Sequence, residues 1–364
     1  MTQSNFNFSP GPSLLPEAVK KKAKQAMWDW YVSGISPMEV SHRSPKFVAL
    51  VSENEQRIRS LYGIDESYLV VFMPGGATMQ TYAWCANLLR TDECADFAIT
   101  GHWSKIAYQE ALRNNAKHHQ AFAGEANGYT SISDCSTWKC SSMSRFLHFV
   151  DNETVHGIEF TTPPTATGKI LISDMSSNIL SRPCNISSYG LIYAGMQKNM
   201  GIAGLTLVVV KKELLSQYPS YAPSLLSYQY CYDKNNLPNT PPTISHYILS
   251  LYLDWFLELG GLSAADEQCK KKSAMLYQAI DNSNGFYKNS IEKPFRSRIN
   301  VTFSTPTPEL DAQFASFAKD CGIHFIKGHA SHGGLRASIY NAMPEEGVEA
   351  LIECMNKFKQ RASL

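Results

Sequence analysis

The sequence has almost no net charge, no close cysteine pair and no long apolar run. Its 33 basic and 32 acidic side chains leave a formal charge of +1, so no basic field recruits nucleic acid or an anionic membrane. An anionic ligand has to be met by individually placed Arg and His side chains and by helix ends. The nine cysteines contain no Cys-x-x-Cys pair. That argues against a disulfide framework and against a cysteine zinc site, and it suits a reducing compartment. No apolar stretch approaches the ~18 residues that a membrane span needs. Met1-Thr-Gln-Ser-Asn-Phe6 lacks the basic flank and apolar core of a secretory signal, so a cytoplasmic location is expected. Internal repeats and low-complexity tracts are also missing.

What is present is a chain of 364 residues, 44% hydrophobic, which is ordinary for a globular protein and long enough for two domains. Short apolar runs bounded by turn residues predict strands ending near residues 73, 100, 150, 173, 194 and 210. Helices are expected between several of them, among them 17–32, 47–61 and 79–89. Pro16 stands in the first turn of the first helix, where its missing N–H costs nothing. This alternation predicts an α/β fold with a mostly parallel sheet and helices on both faces. After two helices meeting at Gly260-Gly261, strands at 296–303 and 334–340 and helices at 309–321 and 345–361 predict a smaller C-terminal α/β domain. The stretch 225–242 is polar and rich in Tyr and Asn. It is too long for an idle loop and is expected to cover an active site or a subunit interface.

Two residues carry the chemistry. Lys198 lies in a loop of small residues, including Gly195, Gly201 and Gly204, between the apolar runs 191–194 and 205–210. A loop lysine is ordinarily a solvated charge. One held away from water loses its proton more readily, and a neutral amine forms an imine with an aldehyde. Upstream, Lys169-Ile-Leu-Ile-Ser-Asp174 is a strand that ends on a carboxylate, the end that faces the ligand crevice in an α/β sheet. An N-cap is the plain alternative for Asp174. Together the pair suggests pyridoxal 5'-phosphate, with Asp174 on the ring nitrogen and Lys198 on the aldehyde. Pro74-Gly-Gly-Ala-Thr78 joins a strand to a helix start and so forms an anion seat suited to a cofactor phosphate. Trp103 can stack on a flat ring or fill a core, and Thr154 brings a hydroxyl to a neighbouring strand end. His42 and Arg43 offer a cationic fork, though adjacent His and Arg are also common on surfaces.

The motifs Asn7-Phe-Ser-Pro-Gly-Pro12, Met38-Glu-Val-Ser-His-Arg43, Asp151-Asn-Glu-Thr154, Ser173-Asp-Met-Ser-Ser177, Tyr193-Ala-Gly-Met-Gln-Lys-Asn199, Asn239-Thr-Pro-Pro-Thr243 and Arg336-Ala-Ser-Ile-Tyr-Asn-Ala-Met343 run the length of the chain. In them the chain resembles the phosphoserine aminotransferases, in the class V group of fold-type I pyridoxal-phosphate enzymes. The resemblance implies a large cofactor domain over 16–260 and a small domain of 1–15 with 261–364. It implies that the backbone of Ala77 and Thr78 and the side chain of Gln197 hold the cofactor phosphate, that Trp103 stacks, and that Thr154 bonds the ring hydroxyl. Asn239 and Thr240 would reach that phosphate from a second subunit, which implies a homodimer with shared sites. Arg336 would take the substrate α-carboxylate, with His329 and the partner's His42 and Arg43 around the distal phosphate or carboxylate. The implied reaction moves the amino group of glutamate to 3-phosphohydroxypyruvate in serine biosynthesis. Some members also serve pyridoxine biosynthesis through a phosphorylated hydroxythreonine. Some family members carry arginine where Thr78 stands and many where Ala330 stands; His332 is the nearby candidate to replace that charge. The alternatives are a transaminase with a different acceptor, a desulfurase-type lyase, and a non-catalytic binding protein on the same fold. The lyase needs a mobile cysteine, for which Cys184 and Cys321 are nearest the motifs.

Overall fold

The computed structural model describes residues 5–31, 34–90, 92–113, 117–164, 168–216 and 222–362. In chain order β1 (Phe6–Asn7) is followed by α1 (Glu17–Ala26), α2 (Pro45–Tyr62), β2 (Tyr68–Met73), α3 (Ala77–Leu88), β3 (Cys94–Ile99), α4 (His102–Arg113), β4 (Lys117–Ala123) and β5 (Ser144–Val150). A small hairpin of β6 (Asn152–Glu153) and β7 (Ile158–Glu159) precedes β8 (Ile170–Asp174), β9 (Leu191–Gly195), β10 (Thr206–Lys211), α5 (Lys212–Ser216) and α6 (Tyr228–Asp233). Then come α7 (Thr243–Glu258), α8 (Gly261–Asp281), β11 (Asn300–Phe303), α9 (Pro308–Asp320), β12 (Ile323–His324), β13 (Leu335–Ser338) and α10 (Glu345–Ala362).

Continuous apolar runs mark strands covered on both faces, and every residue of β2, β3 and β9 is buried. These strands lie in a seven-stranded sheet of order β2-β10-β9-β8-β5-β3-β4. Neighbours are parallel except for β10, which runs antiparallel to both β2 and β9. The expected mostly parallel α/β sheet is therefore present. Its register sets Asp174 opposite Val150 on one side and Tyr193 on the other. The C-terminal ends of β5, β8 and β9 thus lie side by side, and the loops that follow them share one crevice.

Helices cover both faces. On one side α2 contributes Phe47, Leu50, Val51 and Ile58, and α7 contributes Ile248, Leu249 and Tyr252, to a common apolar cluster. On the other, Trp84 and Leu88 of α3 and Ala107 and Ala111 of α4 pack on Phe97 and Phe146. A third cluster joins Phe8 to Leu276, Val301, Phe314, Leu335 and Leu351. It is tied to the N-terminal segment by parallel pairing of β1 with β12. Among the described residues no single helix is long and apolar enough to cross a membrane; α7 and α8 pass that test only as a pair bent by 80°.

Some elements differ from expectation. The first helix stops at Ala26, because Trp30 and Tyr31 both donate their N–H to the Ile35 carbonyl instead of continuing the helix; Val32 lies outside the described residues. The strand expected from residue 296 begins at Asn300, after a 3₁₀ turn over Lys293–Phe295. The strand β4 reads Lys-His-His-Gln-Ala-Phe-Ala and lies at the sheet edge, where no apolar run is needed. The polar stretch 225–242 contains α6, whose Tyr228 and Cys231 are buried.

One buried cation couples α8 to the turn after β13. Lys272 is 2% exposed, and its Nζ donates to the carbonyls of Tyr340 and Met343 at 2.8 Å each. Burial lowers its pKa from 10.5 to about 8. Between those values the unfolded chain binds the extra proton, so stability rises with pH through that interval. Urea denaturation from about pH 7.5 to pH 10 should show the native chain gaining on the order of 3 kcal/mol relative to Lys272→Met. Parallel pH profiles for the two proteins would exclude this coupling.

Candidate active site

At the end of β8, Asp174 is buried, and its Oδ1 accepts the Ser176 N–H at 2.8 Å. The Ser176 hydroxyl oxygen in turn accepts the Gly195 N–H at 3.0 Å, so the loop after β8 is pinned to the end of β9. Gly195 leaves room for the Gln197 amide: a Cβ there would meet the Gln197 Oε1 at 2.8 Å. Lys198 follows in the same turn. Its Nζ donates to Thr154 Oγ1 at 2.9 Å and lies 5.5 Å from the Trp103 ring centre. The N-terminal segment closes over its stem. The Ser13 hydroxyl donates to the Lys198 carbonyl, and a Cβ on Gly11 would meet Lys198 Cγ at 3.1 Å.

Burial dominates the electrostatics of this pair. It pushes the Lys198 ammonium pKa down, opposed by the carboxylates of Asp174 and Glu153. It pushes the Asp174 carboxyl up, opposed by Lys198 and by the Ser176 hydrogen bonds. The amine is thereby biased towards the neutral form that a nucleophile or proton acceptor requires.

Both side chains face a cavity of about 260 Å³ whose wall includes residues 75–78, Trp103, Thr154, Gln197, His329 and Arg336. The helix α3 starts at this wall from Gly76, at φ 84°, with no side-chain cap. Its first-turn N–H groups, those of Ala77 and Thr78 included, have no acceptor within the helix, and the helix dipole adds positive potential. The preceding glycine is needed too, because a Cβ on Gly75 would meet the Met79 sulfur at 2.4 Å.

Trp103 is set by a residue whose role the sequence did not disclose. Glu153, fully buried on β6, accepts the Trp103 N–H at 2.9 Å, the Ser104 N–H at 2.8 Å and the Ser104 hydroxyl at 2.7 Å. Its oxygens accept at the positive end of α4, and burial pushes its carboxyl pKa up against the pull of these hydrogen bonds. Gly101 leaves room for it, since a Cβ there would lie 2.6 Å from the carboxyl carbon. The hairpin carrying Glu153 and Thr154 is held in turn by Arg182, which pairs with Asp151 at 2.7 Å and Glu159 at 3.7 Å. Asn152 beside them donates to Ser177 Oγ at 2.8 Å and to Asn300 Oδ1 at 2.7 Å. That couples the hairpin to β11.

Arg336, on β13 opposite Thr302 of β11, is 4% exposed and has a buried Nε without a partner. The Trp103 Nε1 is likewise buried and unpartnered. A buried donor left unsatisfied costs about 1–3 kcal/mol, and Arg336, which lines the cavity, is placed to give its Nε–H to a polar ligand. His42, Arg43, Asn239 and Thr240 are not brought to this cavity by the single chain. Arg43, Asn239 and Thr240 are exposed, and the buried His42 Nε2 has no partner. Among the described residues no cysteine lines the cavity, and burial pushes the Cys184 thiol up to about 12. Neither of the cysteines named for the lyase alternative, Cys184 and Cys321, lines this cavity.

The model of the family described as aminotransferase class-V matches residues 5–351. The phosphoserine aminotransferase of Laribacter hongkongensis (strain HLHK9) is 42% identical over 356 residues, which covers 98% of this chain and 99% of the relative. The chain belongs to the phosphoserine aminotransferase family, within the class V aminotransferases. The solved phosphoserine aminotransferase of Bacillus circulans subsp. alkalophilus superposes with a TM-score of 0.95 at 37% identity, covering 99% of this chain and 100% of that one. A pyridoxal-phosphate-bound phosphoserine aminotransferase from Trichomonas vaginalis gives 0.89 at 35% identity, covering 97% and 99%. As a class V aminotransferase of fold type I, this chain uses pyridoxal 5'-phosphate. The donor set fits that cofactor. It offers a buried carboxylate for a ring nitrogen, a half-buried amine for an aldehyde, an indole for the ring face and a helix N-terminus for a phosphate.

Glu153 anchors this wall through three hydrogen bonds, so Glu153→Gln, which turns one acceptor into a donor, should destabilise the fold by about 1–3 kcal/mol. Equilibrium urea denaturation measures this, and an unchanged midpoint would remove Glu153 from its anchoring role.

Proposed function

We propose that this class V aminotransferase moves the amino group of glutamate to 3-phosphohydroxypyruvate, giving phosphoserine and 2-oxoglutarate in serine biosynthesis. One observation carries the reading: a half-buried lysine amine and a buried aspartate face the same cavity as Arg336, whose Nε is unpartnered. The names of the full-length relatives supply the substrate. Asp174 would hold the ring nitrogen protonated, and Lys198 would hold the aldehyde carbon and later carry the substrate α-proton. Thr154 would bond the ring hydroxyl while Trp103 covers the ring face. The Ala77 and Thr78 N–H groups and the Gln197 amide would hold the cofactor phosphate. Arg336 would fix the α-carboxylate with its planar fork, beside His329. When bound, the cofactor supplies the electron sink that acidifies the substrate Cα–H. The lowered proton affinity of Lys198 suits it to take that proton, and the apolar cover from the N-terminal segment keeps water from competing.

The same reading includes a homodimer. Arg43, Asn239 and Thr240 are exposed and do not line the chain's own cavity. His42 and Arg43 of one subunit would join the substrate's distal group in the other, and Asn239 and Thr240 the cofactor phosphate. The third apolar cluster, with its N-terminal strand, supports a small domain of residues 1–15 and 261–364 against a large one of 16–260.

Lys198→Ala should lower amino transfer from glutamate by at least about a thousandfold, since both proton transfer and cofactor attachment go with the amine. Production of 2-oxoglutarate measures this, and a variant of near-native rate would sink the assignment. Light scattering should give twice the 40.6 kDa chain mass. Asn239→Ala with Thr240→Ala should weaken cofactor retention on gel filtration; a monomer with full activity would refute the shared site.

A further inference from the structure

Two asparagines stitch the turn after β13 to the loop that follows β8. Asn199, next to Lys198, is fully buried. Its Nδ2 donates to the Ile179 carbonyl at 2.6 Å, and its Oδ1 accepts the Asn341 N–H at 3.0 Å. The Tyr252 hydroxyl of α7 donates to the same oxygen at 3.5 Å. Asn341 reaches back. Its Nδ2 donates to the Leu180 carbonyl at 2.8 Å, and its Oδ1 accepts from the Cys269 thiol of α8 at 3.5 Å. Each side-chain amide is thus used at both ends, where the loop after β8, the Lys198 turn and the turn after β13 meet.

Leu180 shows that this junction is held under constraint. It is fully buried, and its φ is 59°, an outlying conformation for a bulky side chain. Such strain persists only where the surroundings over-determine it. Here other segments take both of its backbone groups. Its N–H donates to the Tyr62 hydroxyl of α2 at 2.7 Å, and its carbonyl accepts from Asn341.

Apolar packing does not set the register at this point. Leu180 and Tyr252 belong to the cluster on one face of the sheet, whereas Leu335 and Ala337 of β13 belong to the separate cluster around Phe314. Tyr340 lies between them in a small group with Cys269 and Ile299. Apolar contact is non-directional. Amides bonded at both ends cannot slide without leaving buried groups unpaired. A second link runs beside the first. The Tyr340 hydroxyl donates to the Pro10 carbonyl at 2.7 Å, and the Ser13 N–H in that same segment donates to the Gln197 carbonyl at 3.0 Å. The strand β13 also carries Arg336, which lines the cavity together with Lys198. A clasp at the end of β13 therefore bears on how the guanidinium stands relative to the amine.

We propose that Asn199 and Asn341 are positioning residues, whose clasp sets the register of Arg336 against Lys198 and so aligns the Cα–H of an α-amino acid with the amine that takes its proton. The clasp rests on the aminotransferase reading above. A misplacement of about 1 Å in such an alignment costs up to about a hundredfold in rate. Glutamate and phosphoserine share the α-carboxylate, so the clasp acts on both alike, and its effect runs through Arg336.

The test is a double-mutant cycle on the cofactor-loaded protein. Asn341→Ala, Arg336→Lys and the double variant are each mixed with glutamate, and the change in the cofactor's visible band gives a rate constant at low glutamate. Arg336→Lys removes the planar fork from the carboxylate. Alone, Asn341→Ala should lower the rate constant about ten- to a hundredfold, and by the same factor with phosphoserine. In the Arg336→Lys background it should lower it less than about threefold, because the two residues act as a unit. Cofactor retention on gel filtration should match that of the native protein. Asn341→Asp, which sets an acceptor against the Leu180 carbonyl at nearly the same volume, is carried through the same cycle as a second variant. Losses that multiply in the double variant overturn the clasp, as does an Asn341→Ala rate constant near the native one. Loss of the cofactor from both Asn341 variants also overturns it, since the pair then serves the cofactor seat. In each of these cases the native response to glutamate leaves aminotransfer standing. A native band unmoved by glutamate overturns both.

Discussion

The cavity at the strand ends depends on holding Asp174 buried and Lys198 half-buried beside one another. A buried ammonium or carboxylate is costly without a partner, and the fold meets that cost with specific neighbours. Thr154 takes the amine, and Ser176 takes the carboxylate while fastening its loop to Gly195. Neither group is fully satisfied by the other, since burial is the first cause of both pKa shifts. The result is a pair biased towards neutrality and ready to gain from a charged aromatic ligand.

The sheet order is what sets this pair. With β5, β8 and β9 parallel and adjacent, the loops carrying Thr154, Asp174 and Lys198 emerge from one edge. The antiparallel β10 sends the chain back beside β2, and the N-terminus of α3 then faces the same crevice. The hairpin after β5 works in two directions: Thr154 reaches Lys198, and Glu153 caps the helix that presents Trp103. Arg336 and His329 arrive from the far side, on segments whose core is the separate apolar cluster around Phe314 and Leu351. The active-site wall is thus shared between differently packed parts of the chain.

Much of the frame was legible in residue order. Runs such as Tyr68–Met73 and Ile170–Asp174 are continuous and apolar because both faces are covered, and their ends were readable to within a residue or two. The edge strand β4 was not legible, because an edge needs no apolar run, and the early stop of α1 depends on the Ile35 carbonyl, which no local pattern reveals. The start of α4 was hidden for a similar reason: its cap is Glu153, distant in sequence.

Residue order by itself determined the kinds of group available: a lysine among glycines, an aspartate at a strand end, and a glycine turn before a helix. Local periodicity and turn chemistry act over a few covalent neighbours, so these features survive without any knowledge of packing. Only the tertiary structure decided which groups meet. It set Lys198 half-buried against Thr154, placed Arg336 at the cavity with a free Nε, and left Arg43, Asn239 and Thr240 exposed. It also drew His102, His156 and His329 together from three parts of the chain. Such adjacency, and the loss of water that shifts each proton affinity, arises from through-space packing, which no single stretch of sequence contains.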